Sequence, residues 1–384
     1  MNNFGLYVHW PFCILKCPYC DFNSHKINNY DQNDWLNAYI KQINYFHQYL
    51  PNNSIKKEKL SSIFFGGGTP SLMKPGFIRK IINHASQVFN FKENIEITLE
   101  ANPSSLEFQS IKDFKNAGIN RISLGIQSLN DNDLKFLGRI HKITDIKETL
   151  KIVLNTFDNV SVDLIYGLQN QKLNTWEKQL DQFLTDFKLQ HISAYQLTIE
   201  KGTKFYKLYN ENILKSLSEK TQGLFYETTR NIIQNHKFYQ YEVSNFAKSN
   251  FKSIHNQLYW KSDNWIGIGP GAVSRLWDTK FKRYQIENYK KPTSWLQNVL
   301  KHNKLKKIEV ISHNISDHET LMMGLRLVEG IRVNKLYDPN IIKKNNLDNL
   351  FKKKILRIKN KKIHVDAKYL VKLDGIINQI ICNY

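Results

Sequence analysis

The chain has 384 residues, of which 41% are hydrophobic, and its formal net charge is +21 at pH 7. This size predicts a globular protein with one large domain and one or two small ones, and no apolar run reaches the length of about 18 residues that a membrane helix needs. The positive charge has no nucleic-acid motif or interleaved aromatic residues beside it, so we interpret it as a solvated surface and expect no nucleic-acid partner.

Six short apolar or β-branched runs predict buried strands, and segments with helical periodicity lie between them. The strands are predicted at residues 6–9, 62–65, 95–99, 121–126, 160–165 and 191–196. The helices are predicted at residues 32–49, 77–89, 106–116, 145–154 and 175–187. This alternation predicts an α/β fold with a parallel sheet, in which six strand–helix units form a partial (β/α)6 barrel.

The strand–helix alternation ends after about residue 201. Residues 206–236 are predicted to be mainly helical, and an aromatic, glycine-bearing stretch follows at 239–247 and 255–274. From about residue 306 we expect small helices and then hairpin strands rich in Lys and Ile. We therefore predict a barrel core at 1–215, a second region at 216–305 and a mainly helical, winged-helix-like C-terminal domain at 306–384.

Three of the four cysteines follow the first predicted strand, at Cys13, Cys17 and Cys20. They are too few and too clustered for a disulfide scaffold, so metal binding in the cytoplasm is the better interpretation. Three thiolates can hold three irons of a cubane cluster and leave the fourth iron open to a small bidentate donor. A structural zinc site that adds His9 or His25 is the alternative.

A glycine loop and several polar residues stand at the ends of the later strands. Residues 66–70 read Gly-Gly-Gly-Thr-Pro, a segment whose backbone can approach a ligand closely. Glu100, Gln127, Asp163 and Gln196 lie at or near the ends of the next four strands. Each alone could be structural, but the carboxyl ends of barrel strands share one mouth, so together they predict a binding pocket.

Cys-x-x-x-Cys-x-x-Cys with an aromatic residue before the third cysteine resembles the signature of the radical-SAM family. The likeness to the coproporphyrinogen-oxidase-like branch of that family runs from about residue 4 to the C-terminal end. It implies a [4Fe-4S] cluster on the three cysteines and bound S-adenosylmethionine. The cofactor contacts that it implies are Tyr7, Tyr19, Gly67, Gly68, Thr69, Glu100, Gln127, Arg139, Asp163 and Gln196. Carboxylates and Gln suit the ribose hydroxyls or the ammonium, and Arg139 suits the carboxylate. We also expect Gly68→Val to block S-adenosylmethionine but spare the cluster.

Two functions occur in that branch, namely oxygen-independent coproporphyrinogen III oxidation in porphyrin metabolism and heme delivery by chaperones of the HemW type. The oxidases carry a further cysteine where Phe22 stands here, and a long extension where this chain has 12 residues before Cys13. Both departures favour the chaperone. A nucleic-acid-binding or RNA-modifying radical-SAM enzyme is a third class, suggested only by the charge and the winged-helix-like end.

Residues 255–260, His-Asn-Gln-Leu-Tyr-Trp, resemble the His-Asn-x-x-Tyr-Trp motif associated with heme binding in those chaperones. The resemblance implies that His255 and Tyr259 contact heme, with Trp260 and Trp265 as further cover for the ring. Without it, a lone histidine beside aromatic rings is more often packed or hydrogen-bonded. Val273 stands where relatives commonly have a histidine, so a ligand role is lost there.

The resulting expectation is a cytoplasmic heme chaperone on a radical-SAM scaffold. By family analogy it would pass heme to an acceptor, a membrane-associated respiratory protein, and the sequence also allows a homodimer. Oxygen-independent coproporphyrinogen III oxidase is the alternative, and cleavage of S-adenosylmethionine stays open.

Overall fold

The computed structural model describes residues 3–26, 31–48, 58–103, 110–339 and 347–381. The strands are β1 (Asn3–Trp10), β2 (Phe12–Cys13), β3 (His25–Lys26), β4 (Lys59–Gly67), β5 (Phe91–Ala101), β6 (Arg121–Gln127), β7 (Asn159–Tyr166), β8 (His191–Gln196), β9 (Tyr239–Gln240), β10 (Asn245–Ala247), β11 (Asn264–Ile268), β12 (Val273–Trp277), β13 (Arg283–Glu287), β14 (Lys307–Ile311), β15 (Ile331–Arg332), β16 (Leu356–Lys359) and β17 (Lys362–Val365).

Helices lie between many of these strands along the chain. They are α1 (Gln32–Gln48), α2 (Pro75–Val88), α3 (Ile111–Asn116), α4 (Asp131–Phe136), α5 (Ile143–Thr156), α6 (Leu173–Asp186), α7 (Lys204–Asn210), α8 (Glu219–Asn235), α9 (Ile254–Trp260), α10 (Pro292–His302), α11 (His313–Gly324), α12 (Leu347–Lys352) and α13 (Leu373–Ile381). The start of the helix predicted at 106–116 and the last residue of the one predicted at 32–49 lie outside the described residues.

A 12-stranded sheet forms the centre of the molecule, in the order β14-β13-β12-β11-β1-β4-β5-β6-β7-β8-β10-β9. The strands from β11 to β8 run parallel to their neighbours. The outer pairs on both sides are antiparallel. The partial barrel of six strand–helix units, β1 and β4 to β8, is thus confirmed, and β11 adds a seventh parallel strand that was not predicted.

The central strands are buried on both faces, which explains why they read as near-continuous apolar runs. In β6, for example, six of the seven residues are buried. On one side of the sheet, a group of aromatic side chains joins β1, α1 and α10, with Trp35 and Trp295 ring centroids 5.1 Å apart. This packing fixes the end of β1, from which the cysteine segment leaves.

The C-terminal part has an apolar core of its own, built around Leu325, Ile331 and Ile363. Its strands β15, β17 and β16 form an antiparallel sheet. β14, by contrast, is the terminal strand of the large sheet. The winged-helix likeness and the boundaries near residues 215 and 305 stay predictions. Within the described ranges, no helix is long and apolar enough to cross a membrane.

Candidate cofactor site at the mouth of the barrel

The candidate site is a cavity of about 380 Å³ at the carboxyl ends of the parallel strands. The predicted residues that line it are Cys13, Cys17, Cys20, Tyr19, Gly67, Gly68, Thr69, Glu100, Gln127, Arg139, Asp163 and Gln196. Tyr7 and Tyr259 line two neighbouring cavities, and His255 lines one of these. Segments that are far apart in sequence therefore meet here because parallel strands present the same end to one side.

The cysteine segment forms a tight turn, in which the Cys20 amide donates to the Cys17 carbonyl at 3.2 Å. Arg139 Nη1 donates to Cys17 Sγ at 3.5 Å, and Ser24 Oγ lies 3.9 Å from Cys20 Sγ. The three thiols are not in disulfides, and Cys13 is buried. The segment thus presents three free sulfur donors to one cavity.

The electrostatics of these thiols fit a metal cluster. Burial raises the pKa of Cys13 and that of Cys20, and charge on the neighbouring sulfurs raises both further. Cationic iron would offset the energetic cost of ionising these thiols and would hold the sulfurs as thiolates. Among the described residues, no three His, Cys, Asp or Glu side chains converge as ligands of one metal ion. A cubane cluster does not require three side chains to converge on one metal ion, because each thiolate binds a separate iron.

The glycine loop packs directly on the segment that leads into the cysteines. The Gly68 amide donates to the Trp10 carbonyl at 2.6 Å, and the Thr69 amide donates to the Phe12 carbonyl at 2.8 Å. A Cβ atom on Gly68 would lie 2.6 Å from the Phe12 carbonyl oxygen. The glycine loop and the cysteine segment are therefore in contact and not separate, so we now expect Gly68→Val to disturb both. The effect on the cluster stays a prediction.

Two half-buried carboxyl groups, Glu100 and Asp163, line the same cavity as the cysteines. Burial, and then the charge of Asp163, raise the pKa of Glu100 to about 8, although Glu100 Oε2 accepts from the Gly67 amide at 3.1 Å. Burial also raises the pKa of Asp163, which accepts from Ser123 Oγ at 3.0 Å. Such a pair suits a ligand that brings a positive charge or several hydroxyl groups.

Arg139 bridges the cysteine segment and the strand ends. Besides Cys17, its guanidinium donates to Asn102 Oδ1 and, at 2.9 Å, to the Gly125 carbonyl. Gln196 at the end of β8 donates from Nε2 to the Gln222 carbonyl at 3.2 Å. Arg139 is thus anchored on two sides while it still lines the cavity.

Some lining residues were missed in the sequence. Asn102 follows Glu100 closely, and Ser123 shares a strand with Gln127 at the even spacing that places side chains on one face. The period of two along β6 could therefore have identified Ser123. Tyr195, which precedes Gln196, also lines the cavity, but no pattern in the sequence distinguishes it.

The helix α9 carries the His-Asn-x-x-Tyr-Trp segment into the interior of the barrel. His255 Nδ1 lies 2.8 Å from Ser62 Oγ, and Nε2 lies 2.7 Å from the Tyr259 hydroxyl. Burial lowers the pKa of His255 to about 3, so the ring is neutral. Glu96 fixes the start of the helix by accepting from the amides of Ile254 and His255 at 3.0 and 3.1 Å.

Both ring nitrogens of His255 are therefore engaged. An inner cavity of about 250 Å³ lies beside the ring and extends from Arg121 to Glu100 and Asp163. For His255 to bind iron through Nε2, the hydrogen bond between Nε2 and the Tyr259 hydroxyl must break. The ring of Tyr259 stands between this inner cavity and another cavity, because it lines both.

A partial barrel whose cysteines, glycine loop and strand-end carboxyl groups share one cavity has the architecture of radical-SAM proteins. Residues 7–183 match the family model of the Radical SAM superfamily. The chain is 33% identical over 390 residues to "Radical S-adenosyl methionine domain-containing protein 1, mitochondrial" of Danio rerio, covering 98% of this chain and 86% of that protein. The chain belongs to the radical SAM superfamily, which implies S-adenosylmethionine and a [4Fe-4S] cluster.

Bacterial relatives give a more particular likeness. The chain is 39% identical over 280 residues to "Heme chaperone HemW" of Haemophilus influenzae, covering 71% of this chain and 70% of that protein. In structure it is similar to the coproporphyrinogen III oxidase HemN of Escherichia coli, with a TM-score of 0.79 over 99% of this chain and 90% of that one. Their sequence identity is 18%, so this second likeness shows the fold alone.

Proposed function

We propose that the chain is a heme chaperone that carries a [4Fe-4S] cluster with S-adenosylmethionine and passes heme to an acceptor protein. The observation that carries this proposal is the 39% identity, over 71% of the chain, to a protein named as a heme chaperone. Phe22 supports it, because this apolar side chain is 58% exposed beside the cysteine segment, where oxidases have a further cysteine.

Coproporphyrinogen III oxidation is the competing function. Its support is the structural likeness to HemN, which extends along 99% of this chain but at 18% identity. A shared fold carries many chemistries, so the residues of the site decide between the two. Heme delivery by the chain calls for a site that holds an iron porphyrin and releases it, whereas the oxidase must cleave S-adenosylmethionine.

The experiment is an anaerobic comparison on one preparation of reconstituted protein. Heme binding is titrated by absorbance, and conversion of coproporphyrinogen III is measured in parallel with S-adenosylmethionine and a reductant. We expect saturable heme binding, transfer of heme to an apo-acceptor and no decarboxylation. Decarboxylation with turnover would replace the chaperone by the oxidase.

The ligand role of His255 is part of this proposal and has its own test. His255→Ala removes the imidazole, whereas Tyr259→Phe removes only the hydroxyl that now engages Nε2 at 2.7 Å. If His255 ligates iron, the first variant weakens heme retention and the second leaves Nε2 free and retains heme. Normal retention in His255→Ala removes this ligand.

The acceptor is proposed to be a membrane-associated respiratory protein. The heme-loaded chain is mixed with membranes that contain the acceptor without heme. The chain should lose its heme absorbance as the membranes gain it. The cytoplasmic location and the homodimer stay predictions.

A further inference from the structure

A second cavity, of about 390 Å³, adjoins the cofactor site. We call it the aromatic chamber, after the side chains of its apolar wall, which are Phe22, Tyr259, Trp265, Val273 and Met323. Phe22, Gly67 and Glu100 line both this chamber and the cofactor cavity. Two ligands could therefore occupy neighbouring places on either side of these residues.

The rings of Tyr259 and Trp265 in the aromatic chamber are held in place by their contact with each other and by hydrogen bonds. Tyr259 and Trp265 meet edge to face, with centroids 4.7 Å apart. Trp265 Nε1 donates to the Val273 carbonyl at 2.9 Å, and the Tyr259 hydroxyl is engaged by His255. Preorganised aromatic walls favour a flat, largely apolar ligand, because little side-chain entropy is lost when it binds.

Lys16, which lines the cofactor cavity, lies beside Phe22, where the chamber adjoins that cavity. Lys16 Nζ donates to the carbonyl of Phe22 at 3.2 Å and to that of Ser24 at 3.4 Å. This places an ammonium group beside the backbone of Phe22, in the lining of the adjoining cofactor cavity. An ammonium pairs well with a carboxylate, so a ligand with an apolar plane and carboxylates on one side matches the chamber.

We propose that heme binds in the aromatic chamber and that the thioether of Met323 is an axial ligand of its iron. This rests on the proposed function and names the place and a ligand for its cargo. The volume falls in the range of about 300–1,000 Å³ typical of small-molecule sites. Methionine sulfur is an established axial ligand of heme iron. Met323 lines the chamber and His255 does not, so ligation by Met323 does not depend on His255.

The other donors in the chamber wall are committed elsewhere. His9 accepts from the Tyr7 hydroxyl at Nδ1 and donates from Nε2 to the Asn23 carbonyl, both at 3.0 Å. Burial and the nearby Glu100 raise the pKa of Tyr259 well above its usual value, which disfavours a phenolate. Met323 is half-buried, lines the chamber and needs no deprotonation to bind iron.

The test compares Met323→Leu with Met322→Leu on cluster-loaded protein. Leucine conserves volume and apolarity but cannot bind iron, and Met322 is its exposed neighbour outside the chamber lining. We expect Met323→Leu to shift the heme absorbance bands and weaken binding about tenfold, equivalent to about 1.4 kcal/mol. Met322→Leu should bind like the wild type. Iron content and S-adenosylmethionine affinity should be unchanged in both.

A second pair tests the chamber independently of the ligand. Phe22→Ala should weaken heme binding, whereas Phe281→Ala, at an exposed phenylalanine outside the chamber lining, should not. If the wild type binds heme and both Met323→Leu and Phe22→Ala match their controls, the chamber is not the heme site, although the proposed function stands. If the wild type binds no heme, both proposals fail.

Discussion

Glu100 is a half-buried carboxyl group whose protonation should affect protein stability. Its pKa is about 8 in the folded chain against 4.5 for the free side chain. Between about pH 4.5 and pH 8, Glu100 keeps its proton in the folded state and releases it in the unfolded state. The free energy of unfolding therefore falls as pH rises through this range. Glu100→Gln lacks this proton, and its stability relative to the wild type should grow by several kcal/mol from about pH 5 to about pH 8.

Urea unfolding of the cluster-free protein across that pH range measures the effect. Glu93→Gln, at the exposed start of the same strand, is the matched control and should leave the profile unchanged. If wild type and Glu100→Gln kept a constant difference at all pH values, Glu100 would already be ionised in the folded state.

Cys17 is the cysteine in contact with Arg139. Cys17→Ala should abolish the cluster, since two thiolates leave two irons of the cubane without protein ligands. Reconstituted wild type should contain about four irons and four sulfides per chain and change its cluster spectrum when S-adenosylmethionine is added.

Cys382→Ala is the control for that change, as it is the one cysteine outside the N-terminal segment and should reconstitute normally. Retention of one zinc per chain, with no response to S-adenosylmethionine, would instead support the zinc alternative.

At the scale of elements, the contact between the glycine loop and the cysteine segment predicts a joint effect. Gly68→Ala introduces a Cβ atom 2.6 Å from the Phe12 carbonyl oxygen, so one of the two segments must move. Iron content and S-adenosylmethionine affinity should therefore both fall. Gly76→Ala, where a Cβ meets no atom within 4 Å, should change neither. Loss of affinity with full iron content would show that the two segments move independently.

The six barrel strands were predictable because each is a short buried run with turn residues at its ends. Glu100, Gln127, Asp163 and Gln196 were predictable as cavity residues for a related reason, since a strand's position in a parallel sheet fixes where its end lies. Their assignment to S-adenosylmethionine came from the family resemblance and stays a prediction.

Long-range partners were not predictable from local patterns. β11 was identified only as part of an aromatic, glycine-bearing stretch, because periodicity does not report which distant strand will pair with it. The hydrogen bonds of His255 were missed for the same reason, as Ser62 lies on β4, far away in sequence. The family resemblance implied that His255 contacts heme, and the sequence did not reveal the partners that engage both of its ring nitrogens.

At the scale of the molecule, the apolar core of the large sheet and that of the C-terminal part predict separable stabilities. Ile363 is 1% exposed in the C-terminal core, and Ile358, its cross-strand partner in the register, is 56% exposed. Ile363→Ala should lower the free energy of unfolding by about 2–5 kcal/mol, whereas Ile358→Ala should change it by less than about 0.5 kcal/mol. Hydrogen exchange of β15 to β17 measures the local effect.

Cluster iron should be unchanged in both variants, because the cysteines lie on the barrel. If Ile363→Ala also lost the cluster, the two cores would unfold as one cooperative unit.

The place of β11 beside β1 bears on the order of biosynthesis. β1 pairs with β4 on one side, soon after both leave the ribosome, but its other side stays open until β11 has been made. Closing so large a loop is slow compared with local pairing. The cysteine segment and the six barrel strands can therefore come together while one flank of the site is still uncovered. The wall with Trp265 and Met323 is synthesised after the six barrel strands, so it covers that flank later.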